Sequence, residues 1–108
     1  MGQYQFLVIS NPVAGREAEY NEWYDRQHLH DVLQVSGFVA AQRFRVTGDS
    51  TLSGRYVAIY ELESDDPAAT LAELNSRAGQ ASMPISSALD VATVSVALLT
   101  PLADRVSS

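Results

Sequence analysis

The chain has 108 residues and a mass of 11.7 kDa, a size typical of one domain with one hydrophobic core, so we expect a single domain over residues 1–108. Its 13 acidic and seven basic residues give a net charge of −6, which disfavours nucleic acids and anionic membrane surfaces as partners. Cys is absent and every basic residue is Arg, which excludes thiolate, Schiff-base and P-loop chemistry.

The first strand and the first helix are predicted from a change in hydrophobic periodicity. Residues 3–10 are rich in β-prone side chains and are apolar on both alternating faces, as in a strand that is buried on two sides. Residues 17–35 have helical spacing, and Glu17 and Glu19 lie in the first turn, where the helix dipole favours acids. Gly37 ends this helix.

Two further strands form a predicted antiparallel hairpin. They cover residues 38–46 and residues 55–62 and are separated by a polar loop that contains glycine. In the first of them, simple alternation places Phe38, Ala40 and Phe44 on one face. Both strands therefore have apolar residues on two faces.

A second helix and a last strand complete the chain. Asp66 is a predicted cap for a helix over residues 67–78 that has proline at its first position, and Gly79 closes it. A last strand is predicted over residues 91–99, where every residue is apolar or carries a hydroxyl group. A polar tail follows.

The order βαββαβ predicts a ferredoxin-like α+β fold, in which a four-stranded antiparallel sheet has two helices on one face. The strands are apolar on both faces, so the face without helices needs a cover, and we expect a homodimer formed through the sheet. No apolar run approaches the roughly 20 residues that cross a bilayer, and the N-terminus lacks the features of a secretory signal. We therefore expect a soluble cytoplasmic protein.

Chemically distinctive side chains are concentrated in the first helix. A helix that faces a core usually carries Leu, Ile and Val, because these side chains need no hydrogen-bond partner. Here the inward stripe is aromatic and titratable instead, which predicts a ligand cavity between the helix and the sheet. Tyr20, Tyr24 and His28 form this stripe, and Trp23 and Asp31 flank it. Asp25 and His30 are the other distinctive residues of the helix, and His30 is expected at the surface.

His28 is the predicted acid–base group, because imidazole titrates near neutral pH, where both its forms are available. Asp25 and Asp31 each lie three residues from His28, and either would hold one ring nitrogen and leave the other free as a base. Tyr24 or Tyr20 would donate a hydrogen bond to a developing enolate or phenolate. This set predicts isomerisation, dehydration or cyclisation of an activated carbonyl compound without a cofactor.

Arg43 is a candidate for ligand binding, together with Tyr20 and Trp23. It is a cation within an apolar strand, and a buried guanidinium needs either an acidic side chain or a ligand carboxylate. The alternative to anion recognition is an ion pair inside the protein. Its candidate partners are Glu22, Asp31 and Glu61.

Other functions remain as alternatives. A metal site is disfavoured, because His28 and His30 are two residues apart, whereas helical metal ligands are spaced three or four apart. We therefore expect no metal and no cofactor, and a metal-dependent or haem-dependent oxygenase with His28 as axial ligand is a minor alternative. The main alternative is a non-catalytic dimer that binds a small ligand or has a structural role, in which the Tyr and His side chains only satisfy backbone carbonyls.

The same residues resemble the signature of EthD-like proteins in the dimeric α+β barrel superfamily, and the resemblance covers nearly the whole chain. The matching residues are Trp23, Tyr24, His28, Leu29, Gly37 and Phe38. His30 and Ser36 stand where the family commonly has proline, so we expect a straighter first helix.

The resemblance implies a homodimer with one cavity per subunit, and His28 would point into that cavity. It implies no single reaction, since relatives on this fold include cofactor-free cyclases, lactone isomerases, quinone-forming monooxygenases and haem-degrading enzymes. The predicted function is that of a small-molecule-binding protein, a cofactor-free lyase, isomerase or cyclase. Its substrate would be aromatic, polyketide-like or a lactone.

Overall fold

The structure is a computed structural model that describes residues 1–108. Its four strands form one antiparallel sheet in the order β2-β3-β1-β4. This is the ferredoxin-like α+β arrangement that the element order predicted. The elements are β1 (Gly2–Ser10), α1 (Glu17–Trp23), a π-helical segment (Tyr24–His28), α2 (Leu29–Leu33), β2 (Phe38–Arg45), β3 (Tyr56–Ser64), α3 (Pro67–Arg77), a 3₁₀ turn (Val91–Thr93) and β4 (Ser95–Leu99).

The core lies between the helices and one face of the sheet. Phe6 on β1 and Tyr60 on β3 are directly opposite each other on this face, because side chains alternate between faces along a strand. Tyr20 from α1 and Leu74 from α3 pack into the same cluster. Burial of this cluster is the main stabilising contribution to the fold.

The other face of the sheet has no helix. It presents apolar side chains from three strands, and Phe44 is 44% exposed. We call it the open face, and its larger apolar members on β1, β2 and β3 are Leu7, Ile9, Phe44, Val57 and Ile59.

The alternation predicted for β2 is wrong at its first residue. Phe38 pairs with Leu62, whereas Ala40 pairs with Glu61, so the register shifts between Phe38 and Ala40. Such a bulge adds one residue to the strand and reverses the facing of the residues before it. Phe38 therefore points into the core, while Ala40 and Phe44 lie on the open face.

The first helix, which we define as α1, the π-helical segment and α2 together, differs from the continuous α-helix predicted over residues 17–35. It ends at Leu33, and its middle turn, Tyr24–His28, is π-helical. A π-helical turn widens the spacing of backbone hydrogen bonds and is frequent at functional sites. The first helix is therefore irregular, although position 30 is not a proline.

The second predicted helix is confirmed. Asp66 caps α3, since its Oδ1 accepts a hydrogen bond from the Ala69 backbone N–H at 3.1 Å, and Pro67 is the first helical residue. Gly79 follows the helix with a φ of +88°, a conformation that glycine adopts at little cost.

The last strand is shorter than predicted and is not buried. Val91–Thr93 form a 3₁₀ turn, and only Ser95–Leu99 pair with β1. All five residues of β4 are exposed, because β4 is an edge strand and the helices pack over β2 and β3. None of the helices has both the length and the apolar character needed to cross a bilayer.

Candidate functional site

The aromatic stripe of the first helix faces the sheet, as its spacing predicted. Tyr20 and Tyr24 are 0% and 3% exposed, and their ring centroids lie 5.5 Å apart in an edge-to-face arrangement. The hydroxyl of Tyr20 is 2.6 Å from Ser10 Oγ, within the buried layer between α1 and β1. Both rings are thus fixed by packing and, for Tyr20, by a hydrogen bond to the sheet.

These buried rings do not line the open cavity that the sequence predicted. The stripe packs as part of the core instead, because Tyr20 and Tyr24 fill the space between helix and sheet. Two hollows lie on the open face: a groove of about 610 Å³ beside the C-terminal residues, which includes Glu61 and Arg105, and a smaller one of about 240 Å³ beside Phe44. The structure is therefore closed at the predicted position of the cavity.

His28 is stacked against the only tryptophan of the chain. Its ring centroid lies 4.6 Å from that of Trp23, with 24° between the planes, and the Tyr24 ring meets it edge-on at 5.2 Å. The Trp23 indole N–H donates a hydrogen bond to the Pro84 carbonyl at 3.1 Å, which fixes the stack against the loop after α3.

Burial lowers the pKa of His28 from 6.5 to about 4, because the charged imidazolium would lose its hydration. His28 is therefore neutral at pH 7. The expectation that both protonation states of His28 are available near neutrality is wrong for this conformation. A neutral imidazole still offers one nitrogen that accepts a proton or a hydrogen bond.

Neither aspartate orients the His28 ring in this structure. The Asp25 carboxylate accepts a hydrogen bond from Arg43 instead, and both His28 Nδ1 and Asp31 Oδ2 are buried without a hydrogen-bond partner. The π-helical segment runs from Tyr24 to His28, and its wider turn changes the regular spacing on which the sequence prediction depended.

Arg43 extends from β2 to the first helix. Its side chain is 11% exposed, its Nη1 donates to Asp25 Oδ1 at 2.8 Å, and its Nη2 donates to Asn21 Oδ1 at 2.8 Å. The guanidinium carbon lies 4.4 Å from the centroid of the Tyr24 ring, in cation–π geometry. The ion-pair partners predicted from the sequence, Glu22, Asp31 and Glu61, are therefore wrong.

The sequence prediction missed Asn21 and Tyr60. Asn21 lies four residues before Asp25, so the two side chains share one helix face, and this spacing is the signal that would have found it. Tyr60 lies in the core with an exposure of 1%, and its hydroxyl lies beside Tyr24. Arg43 pairs with Ala58 of β3, and Tyr60 is two residues further along that strand. Tyr60 therefore lies diagonally across from Arg43, on the side of the sheet that faces the helices.

The buried tyrosines remain protonated at neutral pH. Burial raises the pKa of Tyr24 to about 12, and burial together with the nearby Tyr24 raises the pKa of Tyr60 well above its usual range. Burial also raises the pKa of Tyr20. Their hydroxyl groups therefore act as hydrogen-bond donors rather than as bases.

The site does not fit haem in this conformation. An axial ligand needs a ring nitrogen that faces an open slot, whereas the His28 ring is covered by Trp23 and Tyr24. Nowhere in residues 1–108 do three or more His, Asp or Glu side chains form a group that could hold a metal ion. His30, the other histidine, is exposed.

Comparison with known proteins finds similarity at the level of structure. No protein-family model matches the chain, and no curated protein matches it. The heme-degrader MhuD of Mycobacterium tuberculosis has a TM-score of 0.65 at 18% identity, over 94% of this chain and 98% of that chain. SnoaB of Streptomyces nogalater, a cofactor-independent oxygenase, has a TM-score of 0.60 at 20% identity, over 96% and 97%.

The shared property is the fold. An EthD family protein of Bacillus halodurans has a TM-score of only 0.46 at 11% identity, over 88% of this chain and 96% of that chain. The ferredoxin-like prediction is confirmed by the similarity to MhuD and SnoaB, whereas membership of the EthD-like proteins stays a prediction, because no family model matches.

Proposed function

We propose that the chain is a small-molecule-binding protein whose ligand lies between the first helix and the sheet. The observation that carries this proposal is a pair of polar atoms on the first helix that are buried without hydrogen-bond partners, His28 Nδ1 and Asp31 Oδ2. Each such group lowers stability by the free energy of its lost hydration, and native proteins contain few of them. A polar ligand would supply the missing partners.

Ligand binding at this position requires a rearrangement, because the site is closed. The π-helical segment carries Tyr24 and His28, and it joins two α-helical segments whose hydrogen bonds have a different spacing. We propose that this segment moves when the ligand enters between Trp23 and the sheet. Ring stacking of Trp23 on His28 would then be replaced by stacking on an aromatic ligand.

We further propose that the protein is a cytoplasmic homodimer formed through the open face. Phe44 is 44% exposed on that face, next to Ile59 in the hollow that also includes Ala40 and Gln42. A second copy related by two-fold symmetry would place the same apolar surface opposite itself. The dimeric arrangement would also stabilise the fold, since it removes apolar side chains from water.

The reaction that we propose is oxygenation without a cofactor. Two proteins with this fold are described as a cofactor-independent oxygenase and a heme-degrader, and the site combines a neutral imidazole with a cation and hydroxyl donors. The substrate would be an aromatic compound with an acidic methylene group, as a base and donors for its anion require. Loss of that proton gives a carbanion that transfers its electrons to O2, and a C–O bond forms to give a hydroperoxide once the outer oxygen takes up the proton. Loss of the second proton from the same carbon, with cleavage of the O–O bond, then releases one water and leaves a carbonyl group.

Each residue has a role in this scheme. His28 would accept the proton. Its ring is a weak base, but the negative charge that develops on the substrate would stabilise the imidazolium as it forms. The Arg43 guanidinium and the Tyr60 hydroxyl would stabilise the oxygen of the substrate anion. Trp23 and Tyr24 would exclude water and so strengthen these interactions.

The second candidate is the proton-transfer chemistry predicted from the sequence, in which a lyase, isomerase or cyclase uses the same groups without O2. The neutral His28 and the hydroxyl donors support this proton-transfer chemistry as well as they support oxygenation. The two candidates differ in one observable, which is the consumption of oxygen. A third outcome, binding without turnover, corresponds to the non-catalytic alternative.

The decisive experiment measures oxygen uptake with a hydroxyanthrone, whose methylene group lies between two aromatic rings. We expect uptake of one O2 per carbonyl formed, and a loss of about 10²–10⁴-fold in rate in His28→Phe. His30→Gln is the matched control, since His30 is exposed, and it should keep the wild-type rate. Anaerobic turnover would instead support the isomerase or cyclase, and a rate independent of His28 would refute its role.

A further inference from the structure

Arg43 is a cation in a largely aromatic environment. Its guanidinium lies over Tyr24 at 4.4 Å and within 5.3 Å and 5.5 Å of the ring centroids of Tyr20 and Tyr56. The Arg43 side chain is 11% exposed. Three rings thus hold the guanidinium in one orientation, and its position is fixed before any ligand binds.

Arg43 and the side chains around it have more hydrogen-bond donors than acceptors. A guanidinium has five N–H donors, and Arg43 makes side-chain hydrogen bonds only to Asp25 and Asn21. The Tyr60 hydroxyl, in a residue that is 1% exposed, is a further donor on the same side of the sheet, beside Tyr24. A group with several acceptor oxygens would satisfy both residues, and a carboxylate or a phenolate is such a group.

The carboxylate that now pairs with Arg43 is easily displaced. Asp25 is 61% exposed, so its side chain can rotate into water and regain full hydration. Only the Asp25 side of the ion pair is exposed, since the Arg43 side chain is 11% exposed, so a ligand anion that takes the place of Asp25 would keep the guanidinium paired. Displacement of Asp25 therefore favours a bound anion.

We propose that Arg43 binds the anionic group of the ligand and that Asp25 occupies this position in the unliganded protein. The ligand class is then organic anions, namely aromatic carboxylates or phenolates. This inference rests on the proposed function for the position of the ligand and adds its charge. The net charge of −6 disfavours anions elsewhere on the surface, so an anion preference would report on Arg43.

The test compares an anion with its neutral counterpart, 1-hydroxy-2-naphthoate with 1-hydroxy-2-naphthamide, by calorimetry of the full chain at pH 7. The single indole N–H resonance of Trp23 in NMR spectra locates the binding. We expect the anion to bind at least tenfold more tightly than the amide. Asp25→Asn, which keeps the shape of the side chain and removes its charge, should tighten anion binding at least fivefold and leave amide binding unchanged.

Glu22→Gln is the matched control. It removes the same charge from the same helix, but Glu22 is 71% exposed and faces Arg26 at 4.0 Å rather than Arg43. Its effect on anion binding should stay below twofold, since long-range charge is screened by salt. An equal gain in Glu22→Gln and in Asp25→Asn would overturn the role of Asp25, because the effect would then come from net charge alone.

Arg43→Gln should bind the two compounds with equal affinity. Equal affinities already in the wild-type protein, with a shifted indole resonance, would overturn the inference and leave the proposed site intact. Failure of both compounds to shift the indole resonance would overturn the inference together with the proposed function. If Arg43→Gln does not fold, the comparison of Asp25→Asn with the wild type still tests the inference.

Discussion

The buried imidazole of His28 should make the stability of the protein depend on pH in a defined window. Its pKa is about 4 in the folded protein and 6.5 in the ordinary, hydrated state. Between these values the unfolded chain binds more protons than the folded one, so the free energy of unfolding falls as the pH falls. The contribution is fully present above pH 6.5 and is lost progressively down to pH 4.

The size of this effect follows from the shift. A difference of one pKa unit corresponds to about 1.4 kcal/mol, so the full shift is worth about 3 kcal/mol, of which about 2 kcal/mol should be lost between pH 7 and pH 5. A typical domain has a stability of about 5–15 kcal/mol. The loss is therefore large enough to move a urea midpoint by an easily measured amount.

The assay is urea denaturation at pH 7, 6 and 5 and at one protein concentration. His28→Phe keeps an aromatic ring against Trp23 and removes the titrating group, so its loss of stability over this range should be smaller by about 2 kcal/mol. His30→Gln should behave as the wild type, because His30 is exposed. Equal pH dependence of the wild type and His28→Phe would refute the conclusion that His28 is buried in its neutral form.

Two other predictions test the buried hydrogen bond and the open face. Tyr20→Phe leaves Ser10 Oγ without its partner at 2.6 Å, so the free energy of unfolding should fall by about 1–2 kcal/mol. Adding Ser10→Ala to Tyr20→Phe should restore part of this loss. An unchanged urea midpoint in Tyr20→Phe would contradict the prediction. Light scattering should give a mass of twice 11.7 kDa for the wild type. The control variant Gln27→Glu, on the exposed side of the first helix, should also be a dimer, whereas Phe44→Glu should be a monomer. A monomeric wild type would show that the open face is not the interface.

The sequence determined the features that depend on local pattern. The alternation in β1 and β3 divided the side chains of each strand between two faces, because a period of two follows from strand geometry itself, but it did not say which face carries the helices. The Asp66–Pro67 pair located the start of α3, since capping involves neighbouring residues. The spacing of Tyr20 and Tyr24 placed both rings on the inward face for the same local reason.

The features that the sequence did not determine depend on which residues meet across elements. The bulge that turns Phe38 inward arises from pairing with β3, and no local signal marks it. The partner of Arg43 was misassigned because three carboxylates suited it equally in the sequence, and only packing of the first helix on β2 brought Asp25 to it. The pKa of His28 falls because Trp23 and Tyr24 cover its ring, and loss of hydration depends on tertiary burial rather than on residue type.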